Sequence, residues 1–158
     1  NISSYDKRLK KIAEEYPETK ILQQVKGVGP IIALSFALII SDPNRFSSKE
    51  CASYLGLVPK RDQSGETDKQ LGITKSGNKH LRRLLMQGAQ YIMGPFGEDC
   101  ELRDFGKRNA QRGGRIAKKK ATIAVARKLA ITMLALWRNP DVKYDPHFKA
   151  ANKQNRCA

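Results

Sequence analysis

Apolar residues recur at helical spacing through most of this chain, and that period restricts it to a fold of packed helices. The strongest case is "ATIAVARKLAITMLALW". It predicts a helix from about Ile116 to Trp137, stopped by Asn139 and Pro140. Arg127 and Lys128 interrupt its apolar run, so neither side is long enough to span a bilayer. "YDKRLKKIAEEY" puts Tyr5, Leu9, Ile12, Ala13 and Tyr16 on one helical face, and a second short helix is expected from about Glu18 to Val25. "PIIALSFALII" begins a third with Pro30 in its first turn, where the missing N–H costs nothing. "SSKE" has the form of a capping box, Ser47 with Glu50 three residues on, and opens a short helix through Leu55 that Gly56 ends. Further helices are expected from about Asn78 to Met93, with Leu81, Leu84, Leu85, Ala89 and Ile92 on one face, and from Cys100 to about Arg112. No segment carries a strand pattern and there is no internal repeat. The expected fold is all-α: a compact helical domain with a long polar loop. The remainder, "DVKYDPHFKAANKQNRCA", has no apolar period and is expected as an extended or disordered tail.

Charge narrows the function. The 158 residues carry 30 Lys and Arg against 15 Asp and Glu, a formal net charge of +15. Residues 1–60 hold 9 positive and 6 negative side chains, and residues 61–158 hold 21 and 9, so the excess lies in the second part. Such a surplus favours polyanions, because neutralised phosphates release condensed counterions. Cys51, Cys100 and Cys157 are far apart, no CxxC pair exists and only two histidines are present, which argues against a zinc site. A sparse, odd cysteine count fits a reducing compartment.

Three motifs bear on chemistry. In "LQQVKGVGPIIALSFA" the apolar-x-Gly-apolar-Gly order matches a helix-hairpin-helix, in which Gly27 and Gly29 permit a tight turn and bring backbone N–H groups to a phosphate at the next helix start. Lys26 sits beside that point. The plainer reading is an αα-hairpin that needs glycine for geometry only. The second motif is the polar stretch "KRDQSGETDKQLGITKSGNKHLRR", a loop of nearly twenty residues; loops of that length are usually functional or disordered. Ser64 lies in it, followed by Gly65, among Arg61, Asp62, Glu66, Asp68 and Lys69. A serine there could hydrogen-bond a phosphate or attack one to form a phosphoserine ester, given a base or metal and cations around the phosphorus. Ser76–Gly77 is an equally good turn, and composition does not choose between the two. The third motif is the helix start at Asn78, a capping residue. Lys75, Lys79, Arg82 and Arg83 cluster around it, against the usual dipole preference for acids, which suits a docked anion. A solvated basic face is the plainer alternative, as it is for "GKRNAQRGGRIAKKKA". His80 reads as packed or exposed rather than as a ligand.

The ordered motifs "VKGVGP", "DPNRF", "YLGLVP", "SG", "GITKSGN", "LRR", "AVARKLA" and "YDP" resemble the C-terminal domain of the IS-one-ten and Piv-type DEDD transposases and DNA invertases. The similarity runs from about Ile21 to Pro146. The resemblance implies a domain 21–146 preceded by a linker helix in 1–20 and followed by a flexible tail in 147–158. It implies that Ser64 is a nucleophile on double-stranded DNA, with Lys26, Gly27, Gly29, Lys75, Lys79, Arg82 and Arg83 as the DNA-binding set. It implies an N-terminal RuvC-like domain of the same polypeptide, absent from this stretch, whose Asp-Glu-Asp-Asp ligands hold Mg²⁺; no cofactor or metal ligand is expected in the present chain. A homo-oligomer, a structured guide RNA in some members, a bacterial or archaeal cytoplasmic setting at the nucleoid and no membrane association also follow from it. "ETDKQLGIT" departs from the family in being acidic. The competing expectations are a non-catalytic helix-hairpin-helix module for DNA or RNA, and a ribosomal or assembly protein that would leave the "QSG…GITKSGN" stretch unexplained.

Overall fold

Two of the helices, those that begin at Ser48 and Lys79, start where capping chemistry puts them. In the computed structural model, which describes residues 2–64, 67–111 and 113–148 (the backbone alone at 61–64 and 67–71), α1 spans Ile2–Glu15, α2 Pro17–Leu22, α3 Pro30–Ile40 and α4 Ser48–Tyr54. After a two-stranded ribbon come α5 Lys79–Met93, α6 Glu101–Ala110 and α7 Gly114–Arg138. The capping box at α4 is formed in full: the Glu50 N–H donates to Ser47 Oγ at 3.2 Å and the Ser47 N–H to Glu50 Oε2 at 2.7 Å. The Ser47 N–H, and after it the Ser47 hydroxyl, hold the Glu50 carboxyl below its usual range. At α5, Asn78 Oδ1 accepts from the Leu81 N–H at 2.9 Å.

Helix α7 is the axis of the molecule. It packs against α2, α4, α5 and α6, while α3 bridges α1, α2 and α5. The core collects Leu22, Phe36, Ile40, Leu55, Leu81, Leu85, Leu129 and Met133, all fully buried. Each such side chain contributes about 1.5–3 kcal/mol relative to exposure. Helix α3 is apolar on every side and buries Ala33, Leu34, Phe36, Ala37 and Ile40. Helix α1 is a different case: of the apolar face expected there, Ala13 is buried while Tyr5 and Ile12 remain exposed.

Two regions differ from expectation. The long polar stretch is not a structureless loop. Residues Pro59–Ser64 (β1) pair antiparallel with Thr67–Ile73 (β2), in a register that sets Arg61 against Gln70 and Ser64 against Thr67, with an irregularity between Pro59 and Arg61. Main-chain ladders need no apolar alternation, so a polar sequence can pair wherever a short connection brings its halves together. Residues Gly65 and Glu66 lie outside the described residues.

The second difference is that residues 141–148, irregular as expected, return to the body; residues 149–158 of the expected tail lie outside the described residues. The Tyr144 N–H donates to Gln24 Oε1 at 2.9 Å, and the Glu101 N–H donates to Pro146 O at 2.7 Å. Burial, with Cys100 and Asp145 nearby, pushes the Tyr144 phenol up to about 12, so it stays neutral.

Candidate nucleic-acid interface

The α2–α3 connection is a tight turn in which the Val28 N–H donates to Val25 O at 3.0 Å. Its two glycines do different work. Gly27 has φ +92°, and a Cβ there would lie 2.8 Å from Ile92 Cγ1 and 3.2 Å from Gly88 O of α5. Gly29 is the N-cap of α3 in extended conformation, with φ −84° and nothing within 4 Å of an added Cβ. No side chain caps α3, so the free amides of its first turn need an outside partner, water or an anion. Lys26 lies beside them, paired with Glu98 at 3.3 Å, both well exposed. An exposed pair of this kind is worth little and yields readily to a phosphate.

The connection from β2 to α5 is a second glycine turn. Lys75 takes a left-handed conformation, φ 55°, and Gly77 has φ +81°. The turn is pressed on the C-terminus of α4: a Cβ on Gly77 would lie 1.7 Å from Tyr54 O, and one on Gly56 (φ +66°) 2.2 Å from Ser76 O. Arg82 fastens the contact. Its Nη1 donates to Leu55 O at 3.2 Å and to Ser76 O at 3.0 Å, joining the end of α4 to the turn. Arg103 and Arg138 act in the same way, Arg103 on Ile92 O and Gly94 O at 2.6 Å each, and Arg138 on Pro43 O at 2.7 Å and on Phe46 O. Arg82 and Arg103 meet carbonyls at the ends of α4 and α5, where a guanidinium also suits the dipole, whereas Arg138 holds the loop between α3 and α4.

Of the expected cations, Lys75, Lys79 and Arg83 are exposed, whereas Arg82 is half-buried in its clamp. Lys79 and Arg83 are four residues apart and share one face of α5. Gly88, on which the Gly27 turn packs, is nine residues past Lys79, about half a turn round the helix in projection. The two expected contact points thus lie on different sides of α5. Ser64 ends β1, opposite Thr67, and its side chain is outside the described residues. The clamps and the Tyr144–Gln24 strap were not read from the sequence. Their acceptors are backbone carbonyls and a lone glutamine brought near by tertiary packing, which leaves no local signal.

Among the described residues no three His, Cys, Asp or Glu side chains come together to hold a metal ion. Cys51 is fully buried and its thiol is pushed up to about 11 by burial, so it is not a nucleophile near neutrality. Glu101 accepts from Arg108 at 2.8 Å and Lys128 at 3.3 Å. Burial would raise its carboxyl, but these donors and their charges outweigh it and hold it below the usual value near 4.5. No described helix is long and apolar enough to cross a membrane.

Residues 19–99 match the family model described as the transposase IS116/IS110/IS902 family. The chain is 36% identical over 93 residues to the transposase for insertion sequence element IS1111A of Coxiella burnetii, covering 58% of this chain and 26% of that protein. It is 36% identical over 120 residues to the pilin gene-inverting protein of Moraxella lacunata, covering 75% and 36%. The corresponding figures for the transposase for insertion sequence element IS1328 of Yersinia enterocolitica are 33% over 93 residues, 58% and 28%. The chain thus spans between about a quarter and just over a third of these relatives.

Proposed function

The chain belongs to the IS116/IS110/IS902 transposase family, and on that premise we propose that it is the serine-bearing, DNA-holding part of a transposase or site-specific recombinase. The observation that carries this reading is the ribbon. Its paired strands run about 17 Å from Pro59 to Ser64, a length that supports a Ser64 carried away from the helical body. In the proposed step Ser64 Oγ attacks a DNA phosphorus and passes its proton to a base. The displaced deoxyribose oxygen takes up a proton and leaves as a hydroxyl. The phosphoserine ester keeps the bond energy until a second DNA hydroxyl attacks it, rejoins the strand and releases Ser64.

The helix-hairpin-helix at Lys26, Gly27 and Gly29 and the cations Lys75, Lys79 and Arg83 hold double-stranded DNA by its backbone. Arg82 fixes the turn that carries them. Mg²⁺ is proposed to be held by the Asp-Glu-Asp-Asp ligands of a RuvC-like domain of the same polypeptide, and no step here is routed through it. That domain, a second copy of the polypeptide and a structured guide RNA are the proposed partners, in the cytoplasm of a bacterium or archaeon at the nucleoid.

The test is covalent trapping. Full-length parent protein is mixed with element-end DNA, encoded RNA and Mg²⁺ and then denatured. The expected result is a protein–DNA adduct in the parent and none in folded Ser64→Ala. An adduct that survives the substitution, or none in the parent while DNA is still bound, would reduce the chain to a non-catalytic helix-hairpin-helix module.

A further inference from the structure

Between the base of the ribbon and the α6–α7 pair lies an open groove of about 800 Å³. Pro59 and Ile73 stand on the ribbon side, Phe105 and Ile123 on the floor, and Ile116 and Lys120 on the outer rim. Ile116 is 69% exposed. Arg127 also lines the groove, and no acidic side chain does so among the described residues. Lys128 stands over the Phe105 ring at 4.4 Å and pairs with Glu101, so it belongs to the floor rather than the rim. Beyond the rim, Arg115 and Lys119 are exposed at the start of α7, whose first turn holds no acid, while Lys118 turns to a separate hollow beside Lys107 and Thr122.

An apolar floor inside a cationic rim is a specific combination. A duplex turns its base faces inward and offers a surface its sugars, phosphates and base edges, which would give Ile116 and Ile123 no flat apolar face to cover them. A strand with unstacked bases offers both an apolar face and a phosphate chain. An acid-flanked protein helix would cover the floor too, but Arg115 and Lys119, exposed beyond the groove, extend its cations along a path that suits a chain of phosphates. We infer that the groove receives unpaired nucleotides of a nucleic-acid strand, their base faces on Ile116 and Ile123 and their phosphates on Lys120 and Arg127. This rests on the reading of the chain as a nucleic-acid-handling part, and it adds a site apart from the hairpin and from the Lys79–Arg83 face. The strand β1 leads from the groove wall to Ser64, so a strand lying there would be led along the ribbon.

The test is fluorescence anisotropy of the chain with a labelled twelve-nucleotide oligo(dT) and with a labelled twelve-base-pair duplex, at one salt concentration. The variant pair is Ile116→Ser with Lys120→Ser, both surface positions, with thermal unfolding as the check on folding. The expected result is an oligo(dT) affinity about tenfold weaker, with duplex affinity changed less than about twofold. Lys79→Ser with Arg83→Ser should reverse that order. Oligo(dT) affinity within about twofold of the parent, while duplex binding persists, would overturn the groove and leave the proposed function standing. A change in particle mass by light scattering without a change in oligo(dT) binding would make the groove a protein interface and overturn it as well. A parent chain that binds neither ligand would overturn both.

Discussion

The two glycine turns, Lys26–Gly29 and Lys75–Gly77, look alike as sequence. Each has a lysine, each has a glycine at positive φ, and each precedes a helix. They are built on opposite principles. The first rests on α5 through Gly27 but leaves Gly29 and the uncapped start of α3 open. The second is closed on α4 by Gly56, Gly77 and Arg82, its helix start is capped by Asn78, and its exposed cations are the side chains of Lys75, Lys79 and Arg83. An open turn offers backbone amides to a phosphate. A closed turn offers positioned charge. Glycine and lysine therefore identify neither kind until the surrounding backbone is known.

The sharpest way to break this contrast is at the glycines. Gly77→Ala should cost on the order of 3 kcal/mol or more in urea unfolding, because both the positive φ and the Tyr54 carbonyl oppose a Cβ. Gly29→Ala should leave stability within about 0.5 kcal/mol, as at an ordinary surface position. Gly29→Val should then weaken duplex binding in a folded protein. If Gly29→Val binds as the parent does, the first turn is a packing element only.

Next in size is the arginine pair. Arg82→Met should lose about 2 kcal/mol, since two carbonyls lose a charged donor. Arg83→Met should leave stability almost unchanged and weaken duplex binding with a shallower salt dependence. Equal stability losses for the two would show that the clamp is not what Arg82 supplies.

Lys75→Gly should be smaller still. It relieves a left-handed lysine and raises stability by up to about 1 kcal/mol, while duplex affinity falls. A gain in stability with full affinity would remove Lys75 from the interface.

The smallest effect concerns acid. Glu101 titrates below its ordinary value in the folded chain, so its contribution is complete above the unfolded value near 4.5 and is lost as pH falls through the lowered folded value. Glu101→Gln should flatten the stability profile below about pH 4.5 and leave the two turns untouched. An unchanged profile would mean that the ion pairs with Arg108 and Lys128 carry no net stability.

The helices were legible because their signals are local. Ser47 and Glu50 are three residues apart, Asn78 sits directly before α5, and Pro30 begins α3. The apolar period of α7 fixed its length to within two residues at the start and one at the end. The ribbon was not legible, because Lys, Asp and Gln favour strands poorly and its pairing is carried by backbone groups. The packing of Tyr144 was hidden for another reason: one aromatic residue has no period, and its partner Gln24 is 120 positions away. For the interface, residue types identified where cations gather. They did not separate Arg82, turned inward to carbonyls, from Arg83, turned outward, because the difference depends on where α4 ends.

The strap from Tyr144 to Pro146 has a consequence in time. Its bond to Gln24 ties it to the chain's first third, and its bond to Glu101 to the start of α6. Helix α7, against which four other helices pack, is also made late. A ribosome will have released nearly the whole segment before the α2–α3 turn is backed on both sides, since long-range closures form last. On the proposed function, a copy that lacked this strap would carry the cations without the whole of the frame that aims them.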